Sequence, residues 1–230
     1  MEGDNGESSL AQDSPLVVIF VRHGKTSSTG KILPGRSKGL HLDAIGKKSA
    51  HDLAFHIKNR CQIAAIYSSP LERTQETAAP SAEALSLPVI LDDRLSECDF
   101  GDWTGARLAD LRKLPEWDSL ISSPDDFRFP GGESFVETEE RIRSFTSEMV
   151  NTYKGQIILA FTHADPIRIA LSSSFGMGVS MMHKITVSPT SITTVLYQTE
   201  ASMVLTVNSQ LNILDMQDLV MIGEQIDKNN

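Results

Sequence analysis

Leu16-Val17-Val18-Ile19-Phe20-Val21-Arg22-His23-Gly24 decides the fold: six consecutive apolar residues, four of them β-branched, end abruptly at a cationic residue, a histidine and a glycine. Such a run predicts a strand covered on both faces, as in a parallel sheet. Asp43 then stands as an N-cap ahead of a helix reaching to about Lys58, with Ile45, Ala50, Leu53, Ala54 and Ile57 as its apolar stripe. Ala64-Ala65-Ile66-Tyr67 reads as a second strand. Ser68-Ser69-Pro70 offers a cap with proline at the first helical position, opening a helix over Leu71–Leu85 that Pro80 should kink or divide. Val89-Ile90-Leu91 makes a third short strand.

The chain then turns irregular. Glu97 to Gly105 is polar and glycine-rich, the composition of a functional surface loop. Ser134 and Glu137 have capping-box spacing, and Phe135, Thr138, Ile142, Phe145 and Met149 recur at helical intervals behind them. Gln156 to Phe161 is a fourth buried strand ending at Thr162-His163, while Ile192 to Tyr197 and Met203 to Val207 read as an antiparallel pair completing the sheet. Strands separated by helices imply a three-layer α/β/α sandwich around a mostly parallel central sheet. With no internal repeat and no Pro-, Gly- or Ser-rich linker, the expectation is one domain over 15–208. An acidic, disordered leader (1–14) precedes it, and a docked or frayed tail (209–230) follows.

The 230 residues are 40% hydrophobic, enough for a sizeable core, and carry a formal charge of −9. That charge argues against a nucleic acid or membrane partner. Much of it lies at the ends: Glu2, Asp4, Glu7 and Asp13 face no base, and Asp215, Asp218, Glu224 and Asp227 face only Lys228, so the 14–208 body is near −2. A positive pocket in the body is therefore compatible with an acidic total. No apolar run approaches the roughly 20 residues that cross a bilayer, and the N-terminal residues do not resemble a signal peptide. Cys61 and Cys98 are too few for a disulfide framework. These features read as a cytoplasmic protein; a homodimer is left open.

Ligands of open α/β sheets bind beyond the carboxyl ends of the strands. Two strands here end in histidine, His23 and His163, and a third leads to Arg73 in the first turn of a helix. An arginine there opposes the helix dipole unless an anion joins it.

These motifs, in order, resemble the histidine phosphatase superfamily, whose fold is also called phosphoglycerate mutase-like. The resemblance spans about Leu16 to Val207. Arg22-His23-Gly24 is similar to its RHG motif. Ser68-Ser69-Pro70-Leu71-Glu72-Arg73-Thr74-Gln75-Glu76-Thr77-Ala78 resembles its second signature, in which the arginine is a phosphate ligand. Leu95-Ser96-Glu97-Cys98-Asp99-Phe100-Gly101-Asp102-Trp103-Thr104-Gly105 resembles the third, whose glutamate is the acid. Pro130-Gly131-Gly132-Glu133-Ser134 and Thr162-His163 fall where the family has matching elements.

The resemblance implies a metal-independent phosphatase acting on a small phosphorylated metabolite, without cofactor, through a phosphohistidine. A neutral imidazole suits attack on a phosphomonoester dianion, which repels anionic nucleophiles, and His23 is the expected nucleophile. Arg22, Arg73 and a protonated His163 form the expected clamp on the phosphoryl oxygens. Glu97 is the expected acid, with Asp99, Asp102 and Asp165 as alternatives. Asp165 also has a structural explanation as an N-cap. Gly24, Thr26 and Arg36 are expected to contact substrate, Arg36 and Lys38 at its non-reacting end or else in solvent.

His41, His51, His56 and His183 match no motif and, like Trp103 and Trp117, read as surface or packing residues. No metal-type spacing appears.

Two departures matter. Ala164 follows His163 where the family commonly has glycine, which restricts the backbone if a positive φ is needed. Thr26 and Thr29 stand where it usually has a serine and an asparagine. Mutases of the family carry a longer insertion with paired arginines, whereas Ala106 to Phe129 is short and has no Arg-Arg pair. The expectation is a phosphatase, with mutase-type phosphotransfer and an inactive phospho-ligand binding module as alternatives.

Overall fold

The computed structural model describes residues 14–58 and 60–210. The acidic leader, through residue 13, and the tail from 211 onward lie outside the described residues. In chain order the elements are β1 (Leu16–Arg22), α1 (Ala44–Lys58), β2 (Ile63–Ser68), α2 (Glu72–Leu85), β3 (Val89–Leu91), α3 (Leu108–Leu111), α4 (Pro115–Ser122), α5 (Phe135–Thr152), β4 (Ile157–Thr162), α6 (Ala164–Ser174), β5 (Ile192–Tyr197) and β6 (Ser202–Ser209). The sheet has the order β3-β2-β4-β1-β5-β6. β1, β2, β3 and β4 run parallel, while β5 is antiparallel to β1 and β6 to β5. The expected α/β sandwich with a mostly parallel sheet is what forms.

β1 fills the centre because both its faces are apolar. Leu16, Val18 and Phe20 join Ile142, Phe145 and Met149 of α5 and Ile167 and Leu171 of α6. Val17, Ile19 and Val21 join Leu53 and Ile57 of α1 and Ala78 of α2 on the other face. Burying each such side chain is worth about 1.5–3 kcal/mol, so this strand alone commits the chain to a two-sided core. Asp43 caps α1 by accepting from the Gly46 N–H (2.8 Å), and Ser134 and Glu137 form the expected capping box of α5.

Three local expectations are corrected. α2 begins at Glu72, two residues later than the proline signal suggested, and it runs through Pro80 undivided. Pro80 sits partly exposed, past the middle of the helix. The Glu97–Gly105 segment is not a surface loop. Glu97, Cys98, Phe100 and Trp103 are buried, and the last three build a small core with Leu111, Leu120, Phe127, Phe129 and Phe135. The alternating apolar residues outweigh the polar ones between them. Asp165 is not the N-cap of α6: that position is His163, and Asp165 lies inside the first turn with its carboxylate on Arg168 (2.9 Å).

No helix of the described residues is long and apolar enough to cross a membrane.

The loop after β1 is held by backbone contact that only glycine permits. A Cβ on Gly46 would lie 2.2 Å from the Lys25 carbonyl oxygen, and one on Gly24 would lie 3.0 Å from the Gly46 carbonyl oxygen. Gly46→Ala should therefore destabilise the protein, by about 1–3 kcal/mol as overpacking does, although alanine in an unobstructed helix gains roughly 1 kcal/mol. Thermal or urea denaturation reads the sign directly. A stabilised variant would mean the contact is soft.

Candidate active site

Three parallel strands end side by side. Arg22 is in register with Thr162, and the His23 N–H donates to the Thr162 carbonyl (2.9 Å). Ser68 is in register with Phe161, whose carbonyl accepts from the Ser69 N–H (2.9 Å). The sheet itself thus brings His23, His163 and the start of the Arg73 segment together, and the two imidazole centroids lie 5.2 Å apart.

His23 is buried, and its Nδ1 lies 2.8 Å from the Gly24 carbonyl. A carbonyl only accepts, so Nδ1 carries the proton and Nε2 of the neutral ring keeps a lone pair. Burial, then Arg73 and Arg22, hold the imidazolium well below its ordinary range. His163 Nε2 meets Ser69 Oγ at 2.9 Å, and its Nδ1 is buried without a partner. Burial, Arg73 and His23 hold its pKa well below the ordinary imidazole range as well. His163 has φ −121°, and Ala164 is helical, so the missing glycine creates no backbone conflict.

Arg73 is the largest fully buried side chain described. Its Nη2 donates to the Gly35 carbonyl (2.8 Å), while Nε and Nη1 have no partner. Arg22 Nη1 donates to the Val187 carbonyl (2.6 Å), and its Nε is likewise unpaired. Burial lowers both arginine pKa values, and Glu97 is the largest opposing influence on each. Donors buried and left unpaired cost about 1–3 kcal/mol each, more when charged. Here they gather around one neutral histidine, an arrangement suited to an anion with several oxygens.

Glu97 is buried beside them, its Oε1 accepting from the Cys98 N–H (3.1 Å). Burial and then Asp165 push its pKa up to about 7, against the pull of Arg73, the Cys98 N–H and Arg22. Such a carboxyl can give and take a proton near neutrality. Asp99 instead accepts from the Gly101 N–H (3.0 Å).

The description "histidine phosphatase superfamily (branch 1)" fits residues 18–210. The chain belongs to that superfamily. Among its relatives are phosphoserine phosphatase 1 of Hydrogenobacter thermophilus (34% identical over 168 residues, 71% of this chain and 78% of that protein) and a bifunctional protein of Mycobacterium tuberculosis (32% over 177 residues, 76% of this chain). The chain spans about half, 48%, of the length of the mycobacterial relatives it matches. The crystal structure of a phosphoserine phosphatase from Entamoeba histolytica, in complex with 3-phosphoglyceric acid, is 26% identical with a TM-score of 0.77, covering 86% of this chain and all, 100%, of that one.

The histidine phosphatase motifs bring Arg22, His23, Arg73, Glu97 and His163 together, and Gly24, Thr26 and Arg36 each have partners within the protein. The Gly24 N–H donates to Thr77 Oγ1 (2.9 Å). Thr26 Oγ1 is buried within 3.0 Å of Ser28 Oγ and 3.1 Å of Thr29 Oγ1. Arg36 does not extend freely toward a substrate: Nε donates to the Glu97 carbonyl (2.9 Å) and Nη2 to Glu133 (2.5 Å). Lys38 is exposed. Sequence reasoning missed Thr77, which ties the Gly24 N–H to the Arg73 carbonyl through one hydroxyl. Its signal was its place four residues after Arg73, on the same helix face. Ser69, the partner of His163, stood in the quoted motif without a role. Among the described residues no group of three His, Cys, Asp or Glu side chains could hold a metal.

The raised Glu97 pKa predicts a pH-dependent stability. Because the folded pKa exceeds the unfolded one, this burial is cost-free below about pH 4 and becomes destabilising as pH rises through about 7. Glu97→Gln, which mimics the protonated form, should raise the Tm relative to wild type at about pH 9 and leave it little changed near about pH 5. An equal difference at both would mean Glu97 titrates normally.

Proposed function

We propose that this chain is a phosphatase that hydrolyses a small phosphomonoester through a phosphohistidine on His23. The observation that carries the reading is the set of buried, unpaired nitrogens, Nε and Nη1 of Arg73, Nε of Arg22 and Nδ1 of His163, around a histidine held neutral. His23 Nε2 attacks phosphorus, the ester P–O bond breaks, and Glu97 gives its proton to the departing oxygen. Water then attacks the phosphohistidine, the Glu97 carboxylate takes its proton, and orthophosphate leaves with His23 and Glu97 restored. Arg22 and Arg73 hold the equatorial oxygens, and the bound dianion draws a proton onto His163.

Hydrolysis is favoured over mutase-type transfer because Ala106–Phe129 is short and lacks an Arg-Arg pair. Relatives of both kinds exist: "Probable phosphoglycerate mutase GpmB" of Proteus mirabilis is 32% identical over 186 residues. Retention of both nucleophile and acid favours an enzyme over an inactive phospho-ligand module. The 3-phosphoglyceric acid and phosphoserine named with neighbouring structures make such phosphorylated acids the first substrates to screen. A cytoplasmic location is inferred from cysteine usage, two residues being too few for a disulfide framework.

Three outcomes follow from the mechanism. Quenched turnover should yield acid-labile, base-stable phosphate on the protein that is absent from His23→Ala, and label on serine, aspartate or cysteine would overturn it. Arg73→Ala and His163→Ala should each lower kcat/KM on the order of 10²-fold or more, as loss of a preorganised donor does. Vanadate should inhibit and chelators should not; activity lost in EDTA and restored by a divalent ion would demand a metal.

The acid role has its own signature. Glu97→Gln should reduce kcat/KM severely for alkyl phosphates, whose alkoxide needs a proton. It should reduce it less for p-nitrophenyl phosphate, whose phenolate leaves unprotonated. Equal losses would move the acid to Asp99, Asp102 or Asp165.

A further inference from the structure

We propose that Glu133, with Arg36, is a positioning residue that fixes the acid Glu97; this rests on the acid reading given above. Glu97 stands on an irregular segment, so no strand register sets its place. Its neighbours are held by one side chain instead. Glu133 Oε2 accepts from the Asp99 N–H (3.1 Å), and the Glu133 N–H donates to the Asp99 carbonyl (2.9 Å), so both backbone groups of Asp99 are secured by the same residue. Glu133 Oε1 accepts from Arg36 Nη2 (2.5 Å), and Arg36 Nε donates to the Glu97 carbonyl (2.9 Å). The backbone on either side of Cys98 is thus tied back to Glu133.

The rest of the surroundings fit a fixed anchor. Glu133 Oε2 also accepts from Thr138 Oγ1 (3.1 Å) and Arg141 Nη2 (3.2 Å), both on α5, the long helix packed on the sheet. Burial works against ionisation of Glu133, but Arg141, the Asp99 N–H and Arg36 hold its carboxyl below the usual range. The two loops approach so closely that a Cβ on Gly132 would lie 2.2 Å from the Asp99 carbonyl oxygen. Arg36 Nη2, the Asp99 N–H, Thr138 Oγ1 and Arg141 Nη2 all donate to the Glu133 carboxyl, so an anionic acceptor is required. Glutamine would turn an N–H toward Asp99 and Arg141 or toward Arg36, whichever way its amide faced.

The consequence is a leaving-group signature. A misplacement of about 1 Å costs on the order of 10²-fold in a proton-transfer geometry. Glu133→Gln should therefore lower kcat/KM for the best alkyl phosphate by about tenfold or more beyond its effect on p-nitrophenyl phosphate. Glu133→Asp, which keeps the charge, should recover part of that difference. Arg36→Ala removes the link from Glu133 to the Glu97 carbonyl, with the weaker Asp99 pair, and leaves the Asp99 backbone bonds to Glu133 in place; it should show the same selectivity should Glu133→Gln fail to fold. Glu97→Gln is measured in parallel. If Glu97→Gln separates the two substrates and neither Glu133→Gln nor Arg36→Ala does, the positioning role is wrong while the acid survives. If Glu97→Gln itself fails to separate them, the acid assignment falls and this inference with it.

Discussion

The rest of the site depends on the burial of Arg73. A guanidinium removed from water needs a counter-charge or a full set of acceptors, and an uncompensated buried ion costs several kcal/mol. Arg73 has one carbonyl partner and, among the described residues, no carboxylate within ion-pair distance. A fold tolerates this only with a large apolar reserve. β1 supplies much of it, since six of its residues are buried between two helical layers. The sandwich therefore does more than carry the site. Its two-sided core offsets the cost of keeping a buried cation undersatisfied.

That cation sets the protonation of its neighbours. Arg73 and Arg22 push His23 toward the neutral, nucleophilic form, in the same direction as burial. Glu97 experiences the opposite pull from the arginines, yet burial and Asp165 leave its pKa near about 7. Without ligand the cluster then holds two arginine charges, two neutral imidazoles and a carboxyl that is substantially protonated at neutral pH. A phosphomonoester dianion matches the two arginines in charge. Separate environments thus keep His23 deprotonated and Glu97 substantially protonated at one pH, which is what the proposed nucleophile and acid roles need.

Residues placed by regular elements were legible in the sequence. His23 and His163 end apolar runs, and Arg73 follows a third, so the parallel register that makes the sheet also makes the cluster. What escaped were contacts between segments far apart in the chain. Nothing local in Gly46 reveals that it faces the Lys25 carbonyl, and nothing in Glu133 reveals the Asp99 N–H. Gly24 and Arg36 likewise bond partners far along the chain, Thr77 and the Glu97 carbonyl. One misreading has a simple cause, that polar and glycine residues suggest exposure. In Glu97–Gly105 the polar residues concealed Cys98, Phe100 and Trp103, whose burial makes that segment part of a core.

The two halves of the chemistry are consequently supported in different ways. His23, His163 and the start of the Arg73 segment hang on strand ends, where a change of register would turn side chains to the other face of the sheet and destroy the core. The Glu97 segment hangs on a smaller aromatic cluster that joins Phe100 and Trp103 to Leu111, Leu120, Phe127 and Phe129 of the 106–129 segment. Substitutions in that segment can repack one cluster without disturbing β1, β2 or β4, because the central cores draw on other residues. The strand-end cluster and the Glu97 segment are therefore separable in energy though adjacent in space. A fold built this way can vary the surroundings of Glu97 while keeping the cluster on which the proposed attack on phosphorus rests.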